Sequence, residues 1–208
     1  MKPIFGRTVA TVALTVITAA PLAAQRATEA NDAQLRARCR LAAQVLETGH
    51  PGPKYGWAVD EIMVCDESAG PALARHWSSL HDVDREALGH LTFSSRSVRD
   101  QRIFDAVLAV AGAPDRAPLI RLSALRVLVS YTDPVLDVSL DDLEHPKDNE
   151  VLGHIVDFAP TDGTVPLAAG DPSAVMDLLR RLGQQEPNPE VAAAARYVLR
   201  GLEAHGVS

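Results

Sequence analysis

Ile120-Arg121-Leu122-Ser123-Ala124-Leu125-Arg126-Val127-Leu128 places an aliphatic residue, an alanine four positions on and a leucine four further along one stripe of a helix. The same triplet recurs as Val83-Ala87-Leu91 and as Val191-Ala195-Leu199. The second interval between the alanines is close to twice the first, which gives a period of roughly 35 residues, that of a stacked helix pair. A small side chain in the middle of an apolar stripe lets a neighbouring helix approach where a larger one holds it off.

Each of the later triplets follows a partner helix and a break. Ser97 to Gly112 carries Ile103, Val107 and Val110 on one face and stops at Gly112-Ala113-Pro114; the next helix runs from about Arg116 to Ser130. Pro172 to Leu182 carries Val175, Leu178, Leu179 and Leu182 and stops at Gly183, and a helix resumes after Pro187-Asn188-Pro189, from Glu190 to about His205. Asp115 and Asn188 are of the types that cap the helices they precede. A pair this short cannot bury its stripe alone, so neighbouring pairs must stack into a continuous core.

Ile120-Arg121 with Ala124 and Leu128 after Asp115, and Pro187-Asn188-Pro189-Glu190-Val191 with Ala195 and Leu199, resemble second helices of the HEAT-repeat family of α-solenoids. The resemblance spans residues 81–204 and implies an all-α fold, a short α-solenoid of stacked antiparallel helix pairs. Arg follows the aliphatic residue only at Arg121, with Asp84 and Ala192 at the equivalent positions, so a non-repetitive helical bundle is the competing architecture.

Upstream, Asp32 to Thr48 reads as a helix with Leu35, Cys39, Ala42 and Leu46 on one face, and Tyr55 to Cys65 as a second with Ala58, Ile62 and Cys65 on one side. Gly49-His50-Pro51-Gly52-Pro53 lies between them, and no helix crosses it. An antiparallel fold-back centred on Gly52 sets Cys39 opposite Cys65, and these two residues are expected to form a disulfide; two separate buried thiols are the alternative. A redox-active pair fits poorly, because the cysteines are far apart and Arg38 and Arg40 point away from Cys39 on a helix.

One further repeat is due between Thr132 and Asp171, yet Pro134, Pro146, Pro160 and Pro166 with Gly153, Gly163 and Gly170 interrupt it. This irregular insertion reads as a short helix near Ser139 to Leu143. Then comes either a β-hairpin, Val151 to Phe158 pairing with Thr164 to Leu167, or a degenerate helix from Asn149 to Phe158. Insertions in repeat arrays fall on one surface and often meet partners, which makes the segment a candidate site.

Lys2 and Arg7 precede an uncharged run from Thr8 to Ala24, the pattern of a signal peptide with cleavage expected after Ala24. Residues 1–24 are thus read as signal and 25–208 as one helical-repeat domain. The run is shorter than the roughly 20 residues a spanning helix needs, and no lipoprotein cysteine follows it, so a periplasmic or secreted protein without a stable membrane anchor is expected. The net charge of −7 argues against nucleic acid, which is held by clustered Lys and Arg.

No reactive constellation emerges. His76 and His81 are too far apart on a helix for a zinc pair and read as surface histidines, and no metal, cofactor or catalytic residue is expected. Glu144-His145 lies in the reverse order of an iron-hydroxylase pair and has no second copy. Asp133, Asp137, Asp141, Asp142, Glu144, Asp148 and Glu150 lack the alternation and turn glycine of a calcium loop and read as a solvated face. Trp57 and Trp77 are expected to close the end of the stack. Arg121 and Arg126 on one helix, and Arg196 and Arg200 on the equivalent one, are candidates for an exposed surface receiving an acidic protein partner; local ion pairs are the alternative. The expected function is that of a non-enzymatic protein-interaction module. Its rival is an enzyme or small-ligand-binding protein with its site in residues 132–171.

Overall fold

The computed structural model describes residues 19–47, 54–65, 68–133, 136–146, 154–155 and 170–207, with 19–30, 154 and 155 by backbone alone. The chain divides into two compact units, Met1–Arg38 and Cys39–Ser208. In the first, residues 19–38 are helical and 31–38 are exposed.

The elements in order are α1 (Ala19–Glu47), α2 (Tyr55–Ile62), α3 (Ala69–Ser79), α4 (Arg85–Val98), α5 (Gln101–Gly112), α6 (Pro118–Thr132), β1 (Leu136–Asp137), α7 (Leu140–Glu144), β2 (His154–Ile155), α8 (Pro172–Gln185) and α9 (Pro189–Ala204). The described residues are therefore mostly helical, as the periodicity implies, with packed helix pairs. α3 lies on α5, α5 on α6 and α8 on α9, while α2 and α6 flank α4. Ala87, Ala124 and Ala195 are all buried, as are Leu91, Ile120, Leu128 and Val191, whereas Leu199 is half-buried and Val83 lies ahead of the Asp84 cap, outside α4, so the first stripe does not run along one helix.

Local chemistry explains most helix boundaries. Asp84, Asp100, Asp171 and Asn188 each accept a hydrogen bond from a backbone N–H in the first turn of α4, α5, α8 and α9. Several boundaries differ from expectation. Ser97 and Val98 close α4 instead of opening the next helix, because Arg99 turns into the left-handed region at φ 44° and Asp100 caps α5 from outside. Asp115 does not cap α6; the helix opens three residues later at Pro118, which leaves the cap position to Ala117 and no side-chain cap. Gly183 does not stop α8, which continues to Gln185. Its missing side chain instead admits α9, for a Cβ there would lie 3.0 Å from Arg196 Cγ.

Helix α6 is the hub. It packs on α4, α5, α7, α8, α9 and β1, and residues 120–125 and 127–132 are all buried. A helix enclosed on every side keeps no solvent face, which is why its polar residues turn inward to partners. Ser130 and Thr132 donate to their own helix at Val127 O and Leu128 O, 2.8 Å each.

At the amino-terminal end of the second unit the cysteines meet as a Cys39–Cys65 disulfide with Cα atoms 5.6 Å apart. His76, expected at the surface, is only 2% exposed. Its Nδ1 donates to Leu46 O at 3.0 Å and its Nε2 accepts from Tyr55 Oη at 2.8 Å, an assignment forced because a carbonyl can only accept. Trp77 is fully buried and donates to Ser95 Oγ at 2.8 Å, so it is core and not an end-cap, whereas Trp57 is partly exposed.

Burial pushes the His76 imidazole below its ordinary 6.5 despite its bond to Leu46 O. Its folded value is lower than its unfolded one, so stability from neutral His76 is full above pH 6.5 and is lost as pH falls below it. We expect a loss approaching about 1.4 kcal/mol per pH unit until the folded value is reached. Denaturation midpoints of the wild type and His76→Gln between pH 8 and pH 5 check this, the variant being the flatter.

In the irregular segment, α7 matches the expected short helix, with Ser139 and Asp142 forming a capping box. Residues 154–155 form a strand, and it pairs antiparallel with β1 in the register Leu136↔Ile155 and Asp137↔His154. The anticipated partner strand, 164–167, lies outside the described residues, as do the rest of 149–153 and 156–158. Among described residues, no helix is long and apolar enough to cross a membrane.

Candidate functional site

The four arginines expected on one surface have separate fates. Arg121 is 2% exposed. Its guanidinium makes a two-pronged ion pair with Glu186, at 2.9 and 2.5 Å, and its Nε donates to Ala111 O at 3.1 Å, so it ties the end of α5 to the α8–α9 turn. It therefore belongs to the interior, a correction that follows from the enclosure of α6. Arg196 is exposed and donates to Gly183 O at 2.9 Å, and Arg200 is exposed. Arg126 reaches toward Asp137.

That last contact belongs to a cluster the residue pattern did not single out. Arg96 and Arg99 stand at the carboxyl-terminal end of α4, Arg126 projects from α6 and Asp137 from β1. Arg96 Nη2 lies 2.8 Å from Asp137 Oδ1 and Arg126 Nη2 lies 3.6 Å from the same oxygen; the three side chains are 18–26% exposed. Arg99 Cζ sits 5.6 Å from the ring centroid of Tyr131. Tyr131 in turn holds the turn in place, donating to Ser95 O at 3.0 Å and accepting from Asp100 N at 3.1 Å. Burial pushes the Tyr131 phenol up to about 12.

Arg96 and Arg126 thus share one carboxylate, and Arg99 lies near enough to Arg96 to act on its charge. Arg96 Nε, Arg99 Nη1 and Arg126 Nε are buried and have no hydrogen-bond partner among the described residues. Burial depresses the Arg96 guanidinium, Asp137 opposes the shift, and the positive charges of Arg126 and Arg99 add to it. Arg99 is likewise lowered by burial. An unpartnered buried donor on a charged group costs stability, on the order of 1–3 kcal/mol. Arg99 adds backbone strain, being the one non-glycine residue at positive φ among those described. The signal available in the sequence was the i, i+3 spacing of Arg96 and Arg99, common on any solvated helix.

The acidic stretch is only partly a solvated face. Asp137 is held by arginines, Glu144 pairs with Arg85 at 2.5 Å, and Asp133 lies 3.8 Å from His205. Asp141 is exposed, and Asp148 and Glu150 lie outside the described residues. Among the described residues no three His, Cys, Asp or Glu side chains group as a metal site.

Large exposed apolar side chains in the second unit are Leu41, Trp57, Val64 and Phe93, on α1, α2, the turn after α2 and α4. Their backbones are drawn together. The disulfide joins the positions beside Leu41 and Val64, and Ser94 Oγ donates to Val59 O across α2 and α4 at 3.3 Å. The chain matches no family model, no curated protein and no solved structure.

Proposed function

We propose that this protein is an exported helical-repeat module, a short HEAT-like α-solenoid, that binds a protein partner through its amino-terminal helical end. The observation carrying this reading is the confinement of Leu41, Trp57, Val64 and Phe93 to α1, α2 and α4, while the remaining large apolar side chains described in 39–208 are buried or half-buried. Aromatic and aliphatic groups gathered at one end and left in water are what a protein interface covers. Buried alanines in the first turn of α4 and at the middle of α6 and α9 support the nested helix pairs of a solenoid. The disulfide is compatible with an oxidising, extracytoplasmic compartment, and the basic head and apolar run before Ala24 supply the export reading.

Replacing Trp57 and Phe93 together by Asp tests the proposal. Both are exposed, so the melting temperature should move by only a few degrees, about 3 °C or less. Partner capture from the native envelope fraction should fall at least tenfold, and intact mass of the exported protein should begin at Gln25. Undiminished capture by the double variant would sink the interface, and a cytoplasmic protein retaining Met1 would sink the export.

A further inference from the structure

We propose that Arg96, Arg99 and Arg126 form a binding site for a phosphate group, presented as inorganic phosphate or as a monoester on a small molecule. The proposal does not rest on the partner-binding reading and concerns the carboxyl-terminal turn of α4, one turn beyond Phe93.

Charge and hydrogen bonding point the same way. Among the described residues, Arg96 and Arg126 pair with the one carboxylate of Asp137 and Arg99 adds a third guanidinium near Arg96, so two positive charges are in excess, the complement of a phosphate dianion. A carboxylate ligand would leave one of them uncompensated. Among the described residues, one buried N–H group of each arginine lacks an acceptor, so these guanidinium groups gain from turning toward a ligand, and a phosphate brings three strong acceptor oxygens. Planar guanidinium forks suit such oxygens better than a lysine ammonium does, and all three cations here are arginine. The cluster also reaches solvent, since Arg96 and Arg126 keep 19% and 26% of their side-chain surface.

The backbone supplies a separate argument. Arg99 occupies a left-handed position at the end of α4, where glycine is the usual residue. The chain accepts strain there and gains a cation that has no carboxylate partner of its own. Nothing in the fold requires that charge, because Tyr131 already fixes the turn through Ser95 O and Asp100 N. A net charge of −7 on the whole chain makes a nucleic-acid backbone an unsuitable source of the phosphate, which leaves a small ligand.

Calorimetric titration of the full chain, prepared without phosphate and held at fixed ionic strength, tests the site with inorganic phosphate and with a sugar phosphate as probes. Saturable binding of one equivalent is expected. Comparable affinity for both probes identifies the free ion as sufficient, and binding of the sugar phosphate alone identifies the ester as the source. Arg99→Gly should weaken binding at least tenfold while the ligand-free melting temperature stays within about 3 °C of the wild type, since the lost cation–π contact is offset by relieved strain. Asp137→Asn should tighten binding several-fold, because it removes the competing carboxylate yet keeps an oxygen for Arg96. Arg126→Lys, which keeps the charge and loses the fork, should weaken it several-fold and serves if Asp137→Asn does not fold. Failure of both probes to bind, an unchanged affinity in Arg99→Gly, or preference for a simple dicarboxylate over phosphate would overturn the proposal.

Discussion

Glu186→Ala is expected to lower the stability of this protein by about 3–5 kcal/mol, the range for breaking a buried ion pair by removing one partner. The loss arises less from the missing attraction than from what stays behind. Arg121 is enclosed by α6 and its neighbours and keeps its positive charge with only Ala111 O to accept from it. Asn188 N loses its acceptor as well, since Glu186 Oε1 lies 3.1 Å away. For a chain of this size such a loss moves the melting temperature by roughly 10 °C. Thermal and urea denaturation measure it directly. Replacing both partners by apolar residues of similar volume, Arg121→Met with Glu186→Leu, should recover most of the deficit, because no buried charge is then left alone. The Arg121 hydrogen bond holds the Glu186 carboxyl below its ordinary value against the opposing effect of burial. Stability from this group is therefore complete above the unfolded carboxylate value and is lost as pH falls through the lower folded one.

Opening the Cys39–Cys65 bridge is the second large effect. The cysteines are 26 positions apart, and on the chain-entropy view a loop of that length contributes about 3.5 kcal/mol. Helix α2, with 8 residues, is too short to stand by itself, so its place depends on the bridge and on burial of Ala58, Val59 and Ile62. Cys39→Ser with Cys65→Ser, or dithiothreitol at neutral pH, should produce that loss in denaturant titrations. Trypsin cleavage after Arg40 or Lys54 should quicken before the rest of the chain is cut. An equal stability of oxidised and reduced protein would remove the bridge from any account of how this end is held.

Much of this architecture was legible because it is local. Gly49-His50-Pro51-Gly52-Pro53 stops a helix wherever it occurs, and Asn188 caps the helix it precedes without help from elsewhere. Where the local reading failed, a neighbour had intervened. Gly183 looked like a helix stop until α9 is seen pressing on it, and Asp115 looked like a cap for a helix that opens three residues beyond it. His76 carried no sign in its own segment that Leu46 and Tyr55 would enclose it.

By itself, then, the sequence determined the helices other than α3, several of their limits, the three alanines that are buried and the pairing of the two cysteines, since periodicity, capping and loop reversal act over a few residues to a few turns. Only the tertiary structure decided that α6 lies at the centre, that Arg121 finds Glu186 across the fold, and that Arg96 and Arg126 meet at one aspartate with Arg99 nearby on Tyr131. Those outcomes depend on which faces meet after the helices have formed. A guanidinium reads identically along the chain whether it ends in water or against a distant carboxylate, and its burial alone separates the two.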